Sequence, residues 1–219
     1  MLAIDLLDKA VIRQAPFAYL IAQNMLDANA ETALTDDFPK YRGAGFFPYM
    51  QSDCGPAINA LVGELIAPAF ADALGQKLGI EALSKRPPLV TLCRSLNLRH
   101  GTIHTDSLSK VATALLYLSP GWPQTSAGCL RFLARADDIN ALLVPELRPV
   151  YGAFAAFKRS DNSWHGHIPY EGERQVIQIA WLVDEHARAR KTRRGKFSRA
   201  IKWLAGRVDG WIGRGNRGR

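Results

Sequence analysis

The segment His104-Thr105-Asp106 places an imidazole and a carboxylate two residues apart. A second histidine, His165, follows 61 residues after His104, and Arg174 lies nine residues beyond it. Two imidazoles and one carboxylate on one side of a metal ion leave three coordination positions open. That arrangement suits Fe(II) binding an oxidant and a bidentate co-substrate, whereas structural zinc uses all its positions for protein ligands. The spacing therefore predicts an open metal site built from His104, Asp106 and His165.

The backbone geometry expected around these residues allows them to meet. On an extended chain, side chains two residues apart leave the same face, so His104 and Asp106 can reach one ion if they end a strand. We expect His165 to close the site from a strand on the facing side of a sandwich. His167 shares a face with His165 and could replace it as a ligand, but the nine-residue gap to Arg174 favours His165. His167 is therefore assigned to the substrate pocket. The alternative is a surface His-x-Asp pair and an unrelated histidine.

The pattern of apolar residues predicts a mainly β domain with flanking helices. Helical spacing runs from Ala57 to Leu78, and Pro68 is expected to kink or restart that helix. Downstream, short apolar runs separated by turn residues are typical of an antiparallel sandwich or barrel. The runs predicted as strands are Leu89–Leu98, Ala112–Leu118, Cys129–Leu133, Gly152–Phe157 and Val176–Val183. Nearer the N-terminus we expect a strand at Pro16–Gln23, a short helix at Asn24–Leu34 and a loop at Asp36–Met50.

Several short motifs match one family in order and spacing. They are His104-x-Asp106, Leu116-Tyr117-Leu118, Gly128-Cys129-Leu130-Arg131-Phe132, and Trp164-His165-Gly166-His167 followed by Gly172-Glu173-Arg174. On these residues the chain resembles the 2-oxoglutarate- and Fe(II)-dependent dioxygenases, most closely the prolyl-4-hydroxylase-like branch and its bacterial relatives. The resemblance implies a double-stranded β-helix, or jelly roll. It also implies Fe(II), the co-substrates 2-oxoglutarate and O2, stimulation by ascorbate, and hydroxylation of a C–H bond with release of succinate and CO2.

Arg174 heads the run Arg174–Trp181, in which alternate residues share one strand face. Its guanidinium is therefore expected to point into the core and to need a buried anion, although an exposed salt bridge at the strand start would look the same in sequence. The resemblance implies that Arg174 binds the far carboxylate of 2-oxoglutarate through two parallel donors. It implies the same partner for Tyr117, for which a plain core tyrosine is the alternative, and Gln178 is assigned to the same site. Cys93-Arg94 departs from the pattern, since related enzymes often carry a tyrosine there.

Basic residues are concentrated at the C-terminal end. Residues 186–219 contain 12 Lys and Arg and one acid, Asp209, so their net charge of +11 exceeds the +8 of the whole chain. The first 185 residues are therefore slightly acidic. We divide the chain into a jelly-roll domain with N-terminal helices at 1–185 and a basic, amphipathic helical tail at 186–219.

The tail carries an apolar stripe at helical spacing, made of Phe197, Ile201, Leu204, Val208, Trp211 and Ile212. A basic helix with such a stripe docks on its own domain, binds an anionic membrane surface or contacts nucleic acid, and the sequence leaves all three open. Three cysteines without CxxC spacing and an N-terminus unlike a secretory signal predict a reducing compartment. The longest uncharged run, Val111–Leu130, contains a Pro-Gly turn that a membrane span would not. We expect a cytoplasmic protein, with peripheral contact at the inner membrane surface as one option.

Three classes of function follow from these features. The first is an iron- and 2-oxoglutarate-dependent hydroxylase acting on a protein residue, a small molecule or a glycan-linked substrate. The second is a catalytically silent jelly roll that acts through its basic tail, which the intact His104, Asp106, His165 and Arg174 argue against. The third is a jelly-roll metal enzyme without 2-oxoglutarate, and Arg174 is the residue that separates it from the first.

Overall fold

The computed structural model describes residues 1–194, and a seven-stranded antiparallel sheet forms their centre. The strand order in this main sheet is β1-β2-β7-β5-β9-β4-β3, and β6 and β8 pair in a second sheet. The strands are β1 (Val11–Arg13), β2 (Tyr19–Ala22), β3 (Phe46–Pro48), β4 (Pro88–Leu96), β5 (Lys110–Tyr117), β6 (Arg131–Phe132), β7 (Phe154–Lys158), β8 (His165–Gly166) and β9 (Gly172–Leu182). The predicted antiparallel, mainly β architecture with flanking helices is confirmed.

The two faces of the main sheet are covered differently because side chains alternate along each strand. On β9, Ile177, Ile179 and Trp181 join the larger apolar core that the helices cover. Val176, on the opposite face, belongs to a second core cluster between the two sheets. Arg174 shares that inner face, which gives it the orientation that its place in the sequence predicts.

Helices α2 (Pro56–Ile66) and α3 (Pro68–Leu78) cover the outer face of the main sheet. The two helices meet at 51°. The residue before Pro68 is extended (φ −61°, ψ 142°), as expected from the clash between a proline ring and a helical predecessor. The predicted restart of the helix at Pro68 is therefore confirmed. In residues 1–194 no single helix is long and apolar enough to cross a membrane, and α2 with α3 meets that test only as a bent pair.

The second sheet is small and is extended by isolated pairs of residues. β6 pairs with β8, and His104 pairs with His165 on the other side of β8. A further bridge joins Leu130 to Leu147. The predicted strand Cys129–Leu133 is thus reduced to two residues. This small sheet faces the main sheet across the second core cluster, consistent with a jelly-roll sandwich.

Near the N-terminus the structure corrects two predictions. The predicted helix Asn24–Leu34 starts too early, because the Asp27 carboxylate accepts the backbone N–H of Asn29 and caps a 3₁₀ turn at Ala28–Ala30. The α-helix α1 starts only afterwards and spans Glu31–Asp37. The segment predicted as a loop contains the edge strand β3, which is too short to show a period of two. A 3₁₀ helix at Ile4–Lys9 and the edge strand β1 precede these elements.

The basic tail begins as a helix over residues 185–194. Asp184 accepts the backbone N–H of Ala187 at 2.6 Å and so caps the first turn. Ala187 is buried against Ala180 and Leu182 of β9. Lys191 donates a hydrogen bond to the hydroxyl of Ser107 at 3.0 Å, which places this helix beside the loop that follows Asp106. The apolar stripe from Phe197 to Ile212 lies outside the described residues.

Candidate metal centre and co-substrate pocket

The three predicted ligands, His104, Asp106 and His165, lie together in the structure. One donor atom from each falls within 4.8 Å of the others, and the two imidazole rings are 4.4 Å apart between centroids. The backbones of His104 and His165 exchange two N–H···O bonds of 3.0 Å, which fixes the distance between the rings. His104 does not end a strand but pairs as a single residue with His165, so the two histidines lie side by side in the small sheet and not on facing sides of the sandwich, as was expected. Asp106 and His165 are buried, and His104 is exposed.

Both imidazoles are oriented by the same local contact. Nδ1 of His104 lies 2.9 Å from the carbonyl of Thr102, and Nδ1 of His165 lies 2.9 Å from the carbonyl of Ser163. A carbonyl can only accept, so each Nδ1 is the donor and each Nε2 keeps its lone pair for another partner. Burial lowers the pKa of His165 to about 4, although the nearby Asp106 opposes the shift. The ring is therefore neutral at neutral pH, as a metal ligand must be.

The Asp106 carboxylate is held by two donors from β5. Lys110 donates to Oδ1 at 2.7 Å, and the Thr113 hydroxyl donates to Oδ2 at 2.5 Å. Arg159 donates to the backbone carbonyl of the same residue at 3.1 Å. Burial alone would raise the pKa of Asp106, but the charge of Lys110, the nearby imidazole of His165 and the two hydrogen bonds outweigh it, so the pKa is lowered. The carboxylate is thus charged and fixed, with a lone pair left on each oxygen.

Arg174 points into the same pocket as the three ligands. Its side chain is only 3% exposed, one Nη donates to the Tyr117 hydroxyl at 2.9 Å, and the guanidinium lies 5.0 Å from the centre of the tyrosine ring. Among the described residues it forms no salt bridge, and its Nε has no hydrogen-bond partner. A buried guanidinium with an unused donor is expected to bind an anion. Burial raises the pKa of Tyr117, with Arg174 opposing, so the phenol stays neutral.

The three predicted ligands and Arg174 line one cavity of about 310 Å³. Gln178, half-buried on the wall, has its amide nitrogen 3.3 Å from the Thr91 hydroxyl. His167 also lines the cavity, with Nδ1 2.9 Å from the carbonyl of Ile168. Burial and then Arg174 lower the pKa of His167 to about 4. A larger groove of about 670 Å³ beside β1 and β2 contains none of these residues.

The charges lining the cavity are mostly positive. Arg99, Lys110 and Arg174 contribute cations, and Asp106 is the acid among the lining residues. Lys110 and Thr113 belong to none of the sequence motifs, although both follow Asp106 closely at the start of β5. Cys93 and Arg94, where a tyrosine was expected from the resemblance, are not among the residues that line the cavity.

No known protein family and no curated protein matches the sequence. Solved structures do match in three dimensions. A prolyl-4-hydroxylase from Pseudomonas putida superimposes over 82% of this chain and 97% of its own, with a TM-score of 0.56 and 18% identity. The fold is that of the prolyl 4-hydroxylases.

Two further prolyl hydroxylases show the same similarity. The viral collagen prolyl hydroxylase of Paramecium bursaria Chlorella virus-1, solved as a complex with 2-oxoglutarate, aligns over 75% of this chain and 96% of its own, with a TM-score of 0.51 and 15% identity. A prolyl 4-hydroxylase from Phytophthora capsici aligns over 75% of this chain and 58% of its own, with a TM-score of 0.50 and 18% identity. The resemblance found in the sequence motifs is therefore confirmed in the fold.

Proposed function

We propose that the chain is an Fe(II)- and 2-oxoglutarate-dependent dioxygenase that hydroxylates a C–H bond. The observation that carries the proposal is the buried guanidinium of Arg174 in the cavity lined by His104, Asp106 and His165. A metal enzyme without an anionic co-substrate would have no use for this cation at such depth. The jelly-roll metal enzyme without 2-oxoglutarate is disfavoured for that reason.

The three ligands fit Fe(II) in number and type. Two neutral imidazoles and one carboxylate, converging from one side, leave positions free for small ligands. Each ligand is held in place by a hydrogen bond from its non-coordinating side, the arrangement that orients metal ligands in proteins. When bound, the iron with 2-oxoglutarate and O2 supplies the oxidative chemistry, and the chain supplies position and shielding.

Arg174 is suited to the far carboxylate of 2-oxoglutarate. Its guanidinium can donate two parallel hydrogen bonds to one carboxylate, and the Tyr117 hydroxyl beside it fixes its plane. Gln178 offers a further amide on the same wall. The apolar residues Leu96, Leu115 and Leu130 line the rest of the cavity and limit its contact with water.

The substrate enters from the exposed side. His104 is exposed while Asp106 and His165 are buried, so the opening lies on the His104 side. His167 and Arg99 line the cavity as well and are placed to contact a substrate there. Because the structural neighbours are prolyl hydroxylases, a protein residue is the first class of substrate to test, followed by small and glycan-linked molecules.

Anaerobic titration of the iron-loaded protein with 2-oxoglutarate tests the proposal. Chelation of Fe(II) by a 2-oxo acid is expected to give a visible charge-transfer band, and the band should be absent in His165→Ala. Uncoupled turnover of 2-oxoglutarate to succinate should accompany it in air. Iron binding with no band and no effect of 2-oxoglutarate on metal affinity would reject the assignment.

A further inference from the structure

Lys110 occupies an unexpected place beside the candidate metal centre. Its ammonium lies 2.7 Å from Oδ1 of Asp106, and its side chain is only 12% exposed. It also lines the cavity that contains the three ligands and Arg174. The function proposed above requires neither a cation nor a hydrogen bond at this position.

We infer that Lys110 lowers the affinity of the site for the divalent metal and raises its affinity for the dianionic co-substrate. The inference rests on the proposed function. With neutral imidazoles, the carboxylate of Asp106 supplies the one negative charge of the ligand set, and Lys110 cancels it. A divalent ion then enters a site with no net negative charge, while a dianionic co-substrate enters one with a surplus of positive charge.

Two effects of Lys110 oppose each other, and the surroundings decide between them. A hydrogen bond to Asp106 orients the carboxylate, which favours metal binding. Thr113 already does this through Oδ2 with a neutral hydroxyl. The charge of Lys110 repels a cation, and because the pair is largely shielded from water, that repulsion is screened less than at an exposed site. Electrostatic repulsion is therefore the larger effect.

The same charge acts on the co-substrate in the opposite sense. Lys110 attracts the anionic 2-oxoglutarate, whose far carboxylate is assigned to Arg174. Because a fixed cation acts on each ligand separately, the factor by which metal and 2-oxoglutarate tighten each other's binding should not depend on Lys110. Removing its charge should raise the affinity for metal and lower the affinity for 2-oxoglutarate.

Titration calorimetry with Mn(II), with and without 2-oxoglutarate, tests the inference on the full chain. Lys110→Met keeps the aliphatic stem and should bind Mn(II) about tenfold more tightly, both with and without 2-oxoglutarate, and should bind 2-oxoglutarate more weakly. Lys110→Gln should change each affinity in the same direction as Lys110→Met does, and Lys110→Arg should retain wild-type values. The matched control is Lys191→Met, because Lys191 bonds to Ser107 and not to Asp106; both values should change less than about threefold.

The outcomes separate this inference from the proposed function. Unchanged or weaker Mn(II) binding in both Lys110→Met and Lys110→Gln overturns the role of Lys110. The proposed metal site stands if the wild-type protein binds Mn(II) and His165→Ala does not. If the wild-type protein has no Mn(II) site that depends on His165, both the inference about Lys110 and the proposed function are overturned. An equal effect of Lys191→Met would show a general charge effect and also reject the specific role of Lys110.

Discussion

Arg174 and Tyr117 act as one unit, since the guanidinium contacts both the hydroxyl and the face of the phenol. Replacing Arg174 with Ala removes the cation that we propose binds the far carboxylate of 2-oxoglutarate. We expect the affinity for 2-oxoglutarate to fall about a hundredfold, the range for losing a charged, buried hydrogen-bonded pair, while Mn(II) still binds. Calorimetry measures both. Arg94→Ala is the control, because Arg94 pairs with Glu173 and does not line the cavity, and an equal loss there would contradict the assignment.

Thr113 orients the Asp106 carboxylate without adding charge. Thr113→Val keeps the shape but removes the donor to Oδ2, and we expect Mn(II) affinity to fall about tenfold. Thr113→Ser, which retains the hydroxyl, should stay close to wild type in the same titration. The expected effect is opposite in sign to that of Lys110→Met. If Thr113→Val bound the metal as tightly as Thr113→Ser, the orienting role would be wrong.

Cys54 is the most accessible of the three free cysteines, yet it is expected to react slowly. Burial, followed by the nearby Asp53 and Asp37, raises its pKa to about 11. A raised pKa keeps the thiol protonated until the pH approaches that value, and the thiolate is the reactive form. At pH 8 we expect alkylation about a hundredfold slower than in the unfolded chain, with the rate rising toward pH 11. Mass spectrometry of iodoacetamide-treated protein measures this, and equal rates in the two states would contradict it.

The length of a helix or strand decided whether it could be predicted from the sequence. The long strand β9 and the helices α2 and α3 contain enough residues to show their periods, and the break between the helices is visible in the sequence as Pro68. β8 has two residues and β1 and β3 have three each, so none of them can show a period of two. These short strands are stabilised by pairing with neighbouring strands, and their own sequences show no periodicity.

Part of the candidate site could also be predicted, because some of its residues form a pattern that is visible in the sequence. His104, Asp106, His165 and Arg174 are polar residues at fixed spacing, and their positions can be read from the chain. Lys110 is an ordinary lysine in the sequence, and its contact with Asp106 becomes visible only once the bulge at the start of β5 is known. The contacts of Lys110 and Thr113 with Asp106 depend on tertiary structure that no local pattern encodes.

Gly166 shows how β8 controls the metal centre. A Cβ at this position would lie 3.0 Å from the carbonyl oxygen of Thr102 and 3.3 Å from that of Gly101, and both are backbone atoms that can give way only slightly. Gly166→Ala should therefore push His165 and His104 apart, lowering Mn(II) affinity at least about tenfold while far-UV circular dichroism is retained.

Gly63→Ala is the matched control for this substitution. Gly63 is an exposed helical glycine, and an added Cβ meets nothing within 4 Å. We expect stabilisation of up to about 1 kcal/mol in denaturant unfolding and unchanged metal binding. Equal metal affinity in Gly166→Ala and Gly63→Ala would show that the spacing of the two histidines does not depend on this contact.

At the level of the whole molecule, the two sheets differ in how firmly they are held. The main sheet has long ladders between β4, β9 and β5, whereas β6 and β8 pair over two residues each. His165 belongs to the small sheet, and Asp106 is held by β5 of the main sheet. Mn(II) should therefore slow amide hydrogen exchange most at residues 163–167, with little change in β9. Exchange that slows equally across the chain, or not at all in β8, would contradict this.

A metal ion bound at the candidate site would have a consequence for how the chain is cut. It would tie together His104 and His165, which are 61 residues apart, and so act as a removable cross-link that restricts the chain much as a disulfide would. In the metal-free protein we expect the residues around β8 to open more often, and an opened segment is where proteases cut first. Limited proteolysis should therefore start near β8 and be slowed by Mn(II).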